Sequence, residues 1–371
     1  MDFNKAKWVT PALLIAALAF FLFAGVLLLA PSSSAQKVKQ VGPPPPGWRL
    51  KPKPTPKPSP TPAPEYEVVK ITSNLVMVPV SVTNTQGQPV LGLKPTDFRI
   101  EEDGQVQELT QLGDPEQVPL DIAVLIDVSG SVTSRFEFER QAAASFLKQV
   151  LKAEDRATIF AIDQSPRMVQ GLTTAQTASQ SLLTVKPANG YTAFFDSVLA
   201  AATYLDQSSS TGRRRIVVVI SDGDDTARIL DASAVQARNG DARVPPMEAQ
   251  LRVVQKAQLD TQRDVQKAEI TFYSINPSGQ TLHLNVRTAR AQQNMERMAA
   301  ATGGASFIPR DEAELPVIFN RIANEIRSQY LLQYYSNNQT GNRAFRRIAV
   351  STPTQAGFRV RAREGYFPKA K

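Results

Sequence analysis

The residues best placed to do chemistry are Asp127, Ser129 and Ser131, in the segment Asp127-Val128-Ser129-Gly130-Ser131 directly after the apolar run Ile122–Ile126. A buried strand that ends in one carboxylate and two hydroxyls around a glycine turn presents only hard oxygen donors, which suit Mg²⁺ or Mn²⁺. Taken alone, Asp-x-Ser-x-Ser is a weak pattern, because the same residues populate ordinary turns. Two later segments strengthen it. Asn189-Gly190-Tyr191-Thr192-Ala193-Phe194 puts Thr192 at a predicted helix start, where its hydroxyl could cap the helix or face a ligand. Ser221-Asp222-Gly223-Asp224-Asp225 follows the apolar run Ile216–Ile220, with Asp222 at the predicted strand end. Asp224 and Asp225 add negative charge there, to raise cation affinity, to bind a second ion or to stay solvated in the loop.

Other chemistries find little support. The chain has no cysteine, which removes disulfide frameworks, zinc fingers and thiolate catalysis together. Its one histidine, His283, stands in Gln280-Thr281-Leu282-His283-Leu284-Asn285, outside any strand-to-helix elbow and without a Gly-x-Ser-x-Gly nucleophile motif. An aspartyl phosphotransfer centre would want a second acid two residues after Asp127, where Ser129 stands, and no Walker-type glycine loop is present. The expectation is a binding protein, not an enzyme.

The oxygen donors need a rigid frame. From Leu120 onward strands and helices alternate: Leu120–Ile126, Phe136–Leu151, Ala157–Ile162, Ala193–Leu205, Ile216–Ile220, Met247–Lys267, Ile270–Ile275, Met295–Ala301, Ala305–Ile308 and Leu315–Arg327. Strands such as Ile216-Val217-Val218-Val219-Ile220 are apolar without alternation, as expected where both faces are buried. This predicts an α/β fold with a doubly wound, mostly parallel sheet, in which ligands bind beyond the carboxyl ends of the strands. The ends of its first and fourth strands and the intervening helix start can then converge on one crevice. In Phe136–Leu151 the core-facing residues are read as Phe138, Phe146, Leu147 and Val150. The helix at 247–267 carries Met247, Leu251, Val254 and Leu259 at helical spacing, which favours core packing. The segment Ala227–Pro246 reads as a long loop bordering the crevice, a common place for specificity.

The flanks read as β. Residues 65–116 carry Leu75–Thr83, Phe98–Glu101 and Val106–Leu112, with an Asp103-Gly104 hairpin signal, and suggest a small β module. Residues 329–371 form a C-terminal β segment, Tyr330–Tyr335, Phe345–Ser351 and Phe358–Arg363, with Asn337–Asn342 as a hairpin loop. This segment pairs either with itself or with the first module; the pattern leaves both open.

Residues 1–35 carry Lys5 and Lys7 followed by the largely apolar run Trp8–Ala30, the form of a signal peptide or membrane anchor. Residues 36–64 form a Pro/Lys-rich stalk, with eleven prolines among the 22 residues from Pro43 to Pro64, extended as polyproline II. The main α/β domain then occupies 117–328. The formal charge of +8 is misleading about that body: residues 37–64 and 343–371 together carry +13 and the first residues +1, leaving −6 for 65–342. Nucleic-acid binding is therefore not expected despite a pI of 9.6.

Asp127-x-Ser129-x-Ser131, then Thr192, then Asp222-Gly223 resemble, in order and separation, the metal-ion-dependent adhesion site of von Willebrand factor A domains. The resemblance covers roughly residues 118–328. Beyond it, Val78–Thr83, Asp97-Phe98 and Arg361–Phe367 look like the exported von Willebrand factor A-related proteins typical of Acidobacteria. The resemblance implies that Ser129, Ser131 and Thr192 bind Mg²⁺ or Mn²⁺ directly and that Asp127 and Asp222 bind it mainly through water. A protein partner's Glu or Asp carboxylate would complete the shell. The expected protein is exported, to the periplasm, cell envelope or beyond, and tied to the membrane through its N-terminal segment if that segment is not cleaved. The competing expectation is a scaffold of the envelope whose metal site is vestigial.

Overall fold

Strand formation in the centre of the molecule follows from two-sided burial. The computed structural model describes residues 75–129, 135–230, 247–279, 286–338, 340, 342–355 and 357–369, all within one unit, Lys70–Lys371. The N-terminal apolar run, the proline stalk, Ser131 and His283 lie outside the described residues. Among the described residues, no helix is long and apolar enough to cross a membrane.

In chain order the first strands are β1 (Leu75–Thr83), β2 (Arg99–Glu102), β3 (Gln105–Gln107) and β4 (Leu109–Gly113). The α/β body follows with β5 (Leu120–Asp127), α1 (Phe136–Val150), β6 (Arg156–Ile162), β7 (Pro166–Thr173), α2 (Ala175–Leu183), α3 (Phe194–Ser208) and β8 (Arg214–Ile220). It continues with α4 (Met247–Lys267), β9 (Ile270–Ile275), α5 (Val286–Thr302), β10 (Ser306–Phe307) and α6 (Leu315–Ser328). The chain then adds β11 (Tyr330–Tyr335), β12 (Arg346–Ser351), β13 (Arg359–Ala362) and β14 (Gly365–Tyr366).

The central sheet runs β10-β9-β8-β5-β6-β7 and is parallel except for β7, which pairs antiparallel with β6 at the edge. All eight residues of β5 are buried, and they divide by parity. Ile122, Val124 and Ile126 pack in one core with α1, α2 and α6, while Ala123 and Leu125 pack in the other with α3, α4 and α5. The fold class read from the sequence is therefore the one the chain adopts, with helices on both faces of a mostly parallel sheet.

The edge strand β7 and helix α2 escape the sequence pattern. β7 has no buried residue and Met168 on it is exposed, so the apolar run that marks the inner strands is missing. Leu259 of α4 also faces solvent, where helical spacing predicted the core; Ala257 and Val265 are buried instead.

The flanking strands build two four-stranded antiparallel sheets, ordered β13-β1-β11-β4 and β14-β12-β2-β3. Each draws strands from both ends of the chain, so the C-terminal segment pairs with the first module: β1 lies against β11 with Leu75 opposite Tyr335 and Val80 opposite Tyr330. The expected single strand Val106–Leu112 is two strands, β3 and β4, each belonging to a different sheet. Asn337–Asn342 is likewise not a hairpin loop, because β11 and β12 lie in different sheets. The Asp103-Gly104 signal does make its hairpin, between β2 and β3, with φ of 49° and 80° at the two turn residues. Two consecutive positive φ values give the turn the twist that antiparallel strands need.

The shared core contains Val78, Val80, Ile100, Leu332 and Tyr334. Buried with it is an ion pair, Arg346 with Glu102, both about 2% exposed.

Candidate functional site

β5 and β8 are hydrogen-bonded neighbours, so the chain leaves both at the same carboxyl edge of the sheet. Asp127 is the last residue of β5 and is fully buried. Both its oxygens are held: Oδ1 accepts from the backbone N–H of Ser129 at 3.0 Å and Oδ2 from the Ser221 hydroxyl at 2.7 Å. The hydrogen bond from Ser221 ties the end of β5 to the residue after β8. Burial raises the Asp127 carboxyl above its usual range, against these hydrogen bonds.

Asp222 follows Ser221. Its Oδ1 accepts from the Asp224 N–H at 3.1 Å, a local turn that fixes the carboxylate. Burial and the neighbouring Asp127 push its carboxyl up to about 6. Gly223 has φ +79°, and a Cβ there would lie 2.9 Å from the Met295 thioether. Gly223→Ala is therefore expected to cost about 1–2 kcal/mol, read as a lower urea midpoint; an unchanged midpoint would show that Met295 yields and the turn tolerates a side chain.

Thr192 is nearly buried and precedes α3 by two residues. Its hydroxyl does not cap that helix: Ala193 is the N-cap, with no side-chain cap bond. Its backbone is clamped instead, the N–H donating to the Thr226 hydroxyl at 2.7 Å and the carbonyl accepting from the Ala227 N–H at 3.2 Å. The β8 loop and the Thr192 loop are thus stitched together, which brings Thr192 beside the segment that carries Asp222.

Asp225 makes the second stitch. Its Oδ2 accepts from the Phe195 N–H at 3.0 Å, in the first turn of α3, and its Oδ1 accepts from the Arg228 N–H at 3.1 Å. Residues 226–230 are helical, so the start of the expected long loop is a helix that Asp225 caps. Asp224 pairs with Arg287 of α5 at 2.7 Å. Neither acid is a solvated loop residue: one ties two helix starts together and the other joins the loop to α5.

The structure therefore brings Asp127, Ser129, Thr192 and Asp222 to one edge of the sheet, while Ser131 lies outside the described residues. Among the described residues, no three carboxylates or imidazoles gather closely enough to hold an ion by themselves. Any cation here would depend on the hydroxyls and on water, and a donor set of Ser and Thr hydroxyls with fixed carboxylates fits Mg²⁺ or Mn²⁺.

One acid at this edge was missed by sequence reasoning. Glu139 of α1 is completely buried, and among the described residues neither of its carboxyl oxygens has a hydrogen-bond partner. Among the charges that act on it are Arg135, Asp127, Glu312 and Asp222. Burial pushes its carboxyl up to about 8. The signal was in the helix spacing: Phe136, Glu139, Ala143, Phe146, Leu147 and Val150 form the buried stripe of α1, and Phe138, which was expected in that stripe, is only partly buried.

Within the α/β body, residues 122–224 match the family model described as von Willebrand factor type A domain, a little over a quarter of the chain. No curated protein matches the sequence. Among solved structures, the chain is similar to a von Willebrand factor type A protein from Catenulispora acidiphila, at 12% identity and TM-score 0.44, over 81% of this chain and 64% of that one. It is also similar to the PilB minor pilin from Streptococcus sanguinis, at 14% identity and TM-score 0.41, over 57% of this chain and 62% of that one. A third is the pilus adhesin SpaC from Lactobacillus rhamnosus GG in its open conformation, at 12% identity and TM-score 0.44, over 73% of this chain and 41% of that one. This chain thus spans less than two thirds of the length of each.

Proposed function

We propose that this protein is an exported binding protein that recognises an acidic group on a protein partner through a divalent cation, Mg²⁺ or Mn²⁺, held by Asp127, Ser129, Ser131, Thr192 and Asp222. The observation that carries the reading is the pre-arrangement of Asp127. Its carboxylate is fixed by Ser129 and Ser221 at the edge where the Thr192 and Asp222 loops are stitched together. Fixed donors lose little entropy on binding an ion, so they favour affinity and geometry over adaptability. The cation, when bound, supplies an open coordination position that a carboxylate can fill. The chain's own residues keep the donors in place. The N-terminal Lys5, Lys7 and Trp8–Ala30 support export and, if uncleaved, attachment to the membrane.

Calorimetric titration of the full chain with Mg²⁺ tests this. Wild type is expected to bind one ion and Asp127→Ala to show no saturable heat; equal binding by the two would remove the metal from the proposal. Capture of partners from envelope extracts, with and without chelator, separates recognition through the ion from a scaffold role. Partners retained in EDTA favour a scaffold whose contacts are made by the β sheets.

A further inference from the structure

We propose that Glu139 of α1 belongs to the cation site, accepting a hydrogen bond from a water on the ion and holding that water in place, so that the site contains a third carboxylate beyond Asp127 and Asp222. This rests on the metal-binding reading above.

Three observations lead to it. A carboxyl group with no solvent exposure and, among the described residues, no hydrogen-bond partner on either oxygen is a costly thing to keep in a helix, and such groups ordinarily have a partner. The position is also directional. Glu139 lies in the first turns of α1, on the same buried stripe as Phe136 and Ala143, so its side chain faces the sheet at the carboxyl edge where Asp127 ends β5. The proposed ligands Asp127 and Asp222 are among the charged groups that act on it. Arg135, the cation in that set, donates instead to the carbonyl oxygen of Pro277. A core of helix and sheet would be better served here by leucine, similar in size and without the desolvation cost. A carboxylate makes sense at this position if something positive or proton-donating arrives from the site side.

The role is an outer one. Among the described residues no three acids are close enough to share an ion directly, which leaves a water molecule between Glu139 and the cation. Outer partners of this kind orient a metal's ligands and raise their basicity, and their loss typically lowers metal affinity about 10- to 100-fold.

The test is Mg²⁺ titration of the full-length protein in three forms: wild type, Asp127→Ala and Glu139→Gln. Glutamine keeps the shape and one acceptor while removing the charge. The expected result is an affinity about 10- to 100-fold below wild type for Glu139→Gln, with a melting temperature in EDTA no lower than that of wild type. A purely structural glutamate would leave Mg²⁺ affinity unmoved, so equal dissociation constants for wild type and Glu139→Gln overturn the inference while the metal site itself stands. No binding by wild type overturns both. Should Glu139→Gln show no cooperative melt, Glu139→Asp takes its place: the carboxyl is withdrawn by one methylene, weaker binding supports the role and unchanged binding ends it.

Discussion

Arg346→Met is expected to destabilise the protein by about 3–5 kcal/mol, the cost of leaving one member of a buried ion pair without its counter-charge. Arg346 donates to Glu102 Oε1 at 3.1 Å, to the Ser336 hydroxyl at 2.8 Å and to the Thr340 carbonyl at 3.1 Å. Glu102 in turn accepts from the hydroxyls of Tyr334, Ser336 and Tyr366. The pair therefore joins β2 and β12 to β11 and β14, four strands from opposite ends of the chain. Methionine fills much of the volume, so the loss isolates the charge and not a cavity. Adding Glu102→Gln, which still accepts from the tyrosines, is expected to return more than half of the loss, and the coupling is read from a double-mutant cycle on urea midpoints. A single mutant that loses less than about 1 kcal/mol would show that water reaches Glu102.

The second large effect is on stability as a function of pH with divalent ions removed. The Glu139 carboxyl is pushed from 4.5 up to about 8 in the folded protein, mainly by burial, with Asp127, Glu312 and Asp222 adding to the rise and Arg135 opposing it. Between those values the folded state keeps a proton that the unfolded chain has released. Its contribution is fully present below about pH 4.5 and is lost as pH rises through about 8. Asp222, pushed from 3.8 to about 6, acts with the same sign in the lower part of that window. At about 1.4 kcal/mol per unit of displacement, the two together remove several kcal/mol between pH 4.5 and pH 8. Urea midpoints in EDTA are expected to fall across this range in wild type and to fall much less in Glu139→Gln. A wild-type curve that is flat from pH 5 to pH 8 would mean that the cluster is hydrated. Saturating Mg²⁺ at pH 8 is expected to restore wild type more than the variant, because ligand binding to the folded state adds to its stability.

Much of the α/β body could be read because two-sided burial writes itself into consecutive apolar residues: Leu120–Ile126, Ile216–Ile220 and Ile270–Ile275 are strands in the structure within a residue or two of their predicted bounds. Asp127 and Asp222 were legible for the same reason, as acids that terminate such runs. β7 was not, since an exposed edge strand has no reason to be apolar, and α2 went with it. The pairing of the flanking strands was open because alternation sets which face of a strand is buried and says nothing of its neighbour. Thr192 was placed correctly at the approach to α3, but that it leaves the helix uncapped was not legible, because the acceptor for the Phe195 N–H comes from Asp225, thirty residues after Phe195. Glu139 was hidden by its neighbours: in Phe136-Glu137-Phe138-Glu139 the eye follows the aromatic rings, while the helix turns Phe136 and Glu139 inward together.

The antiparallel match of β1 with β11 has a mechanical side. Leu75, where the described chain begins, sits opposite Tyr335, whereas β11 is held from its other end, at Tyr330, by its junction with α6. A pull on the segment before Leu75 is thus resisted from the opposite end of the strand pair, and the load runs along the strands. Under such shear the cross-strand hydrogen bonds share the force and must give way together, where a peeling load would break them one at a time.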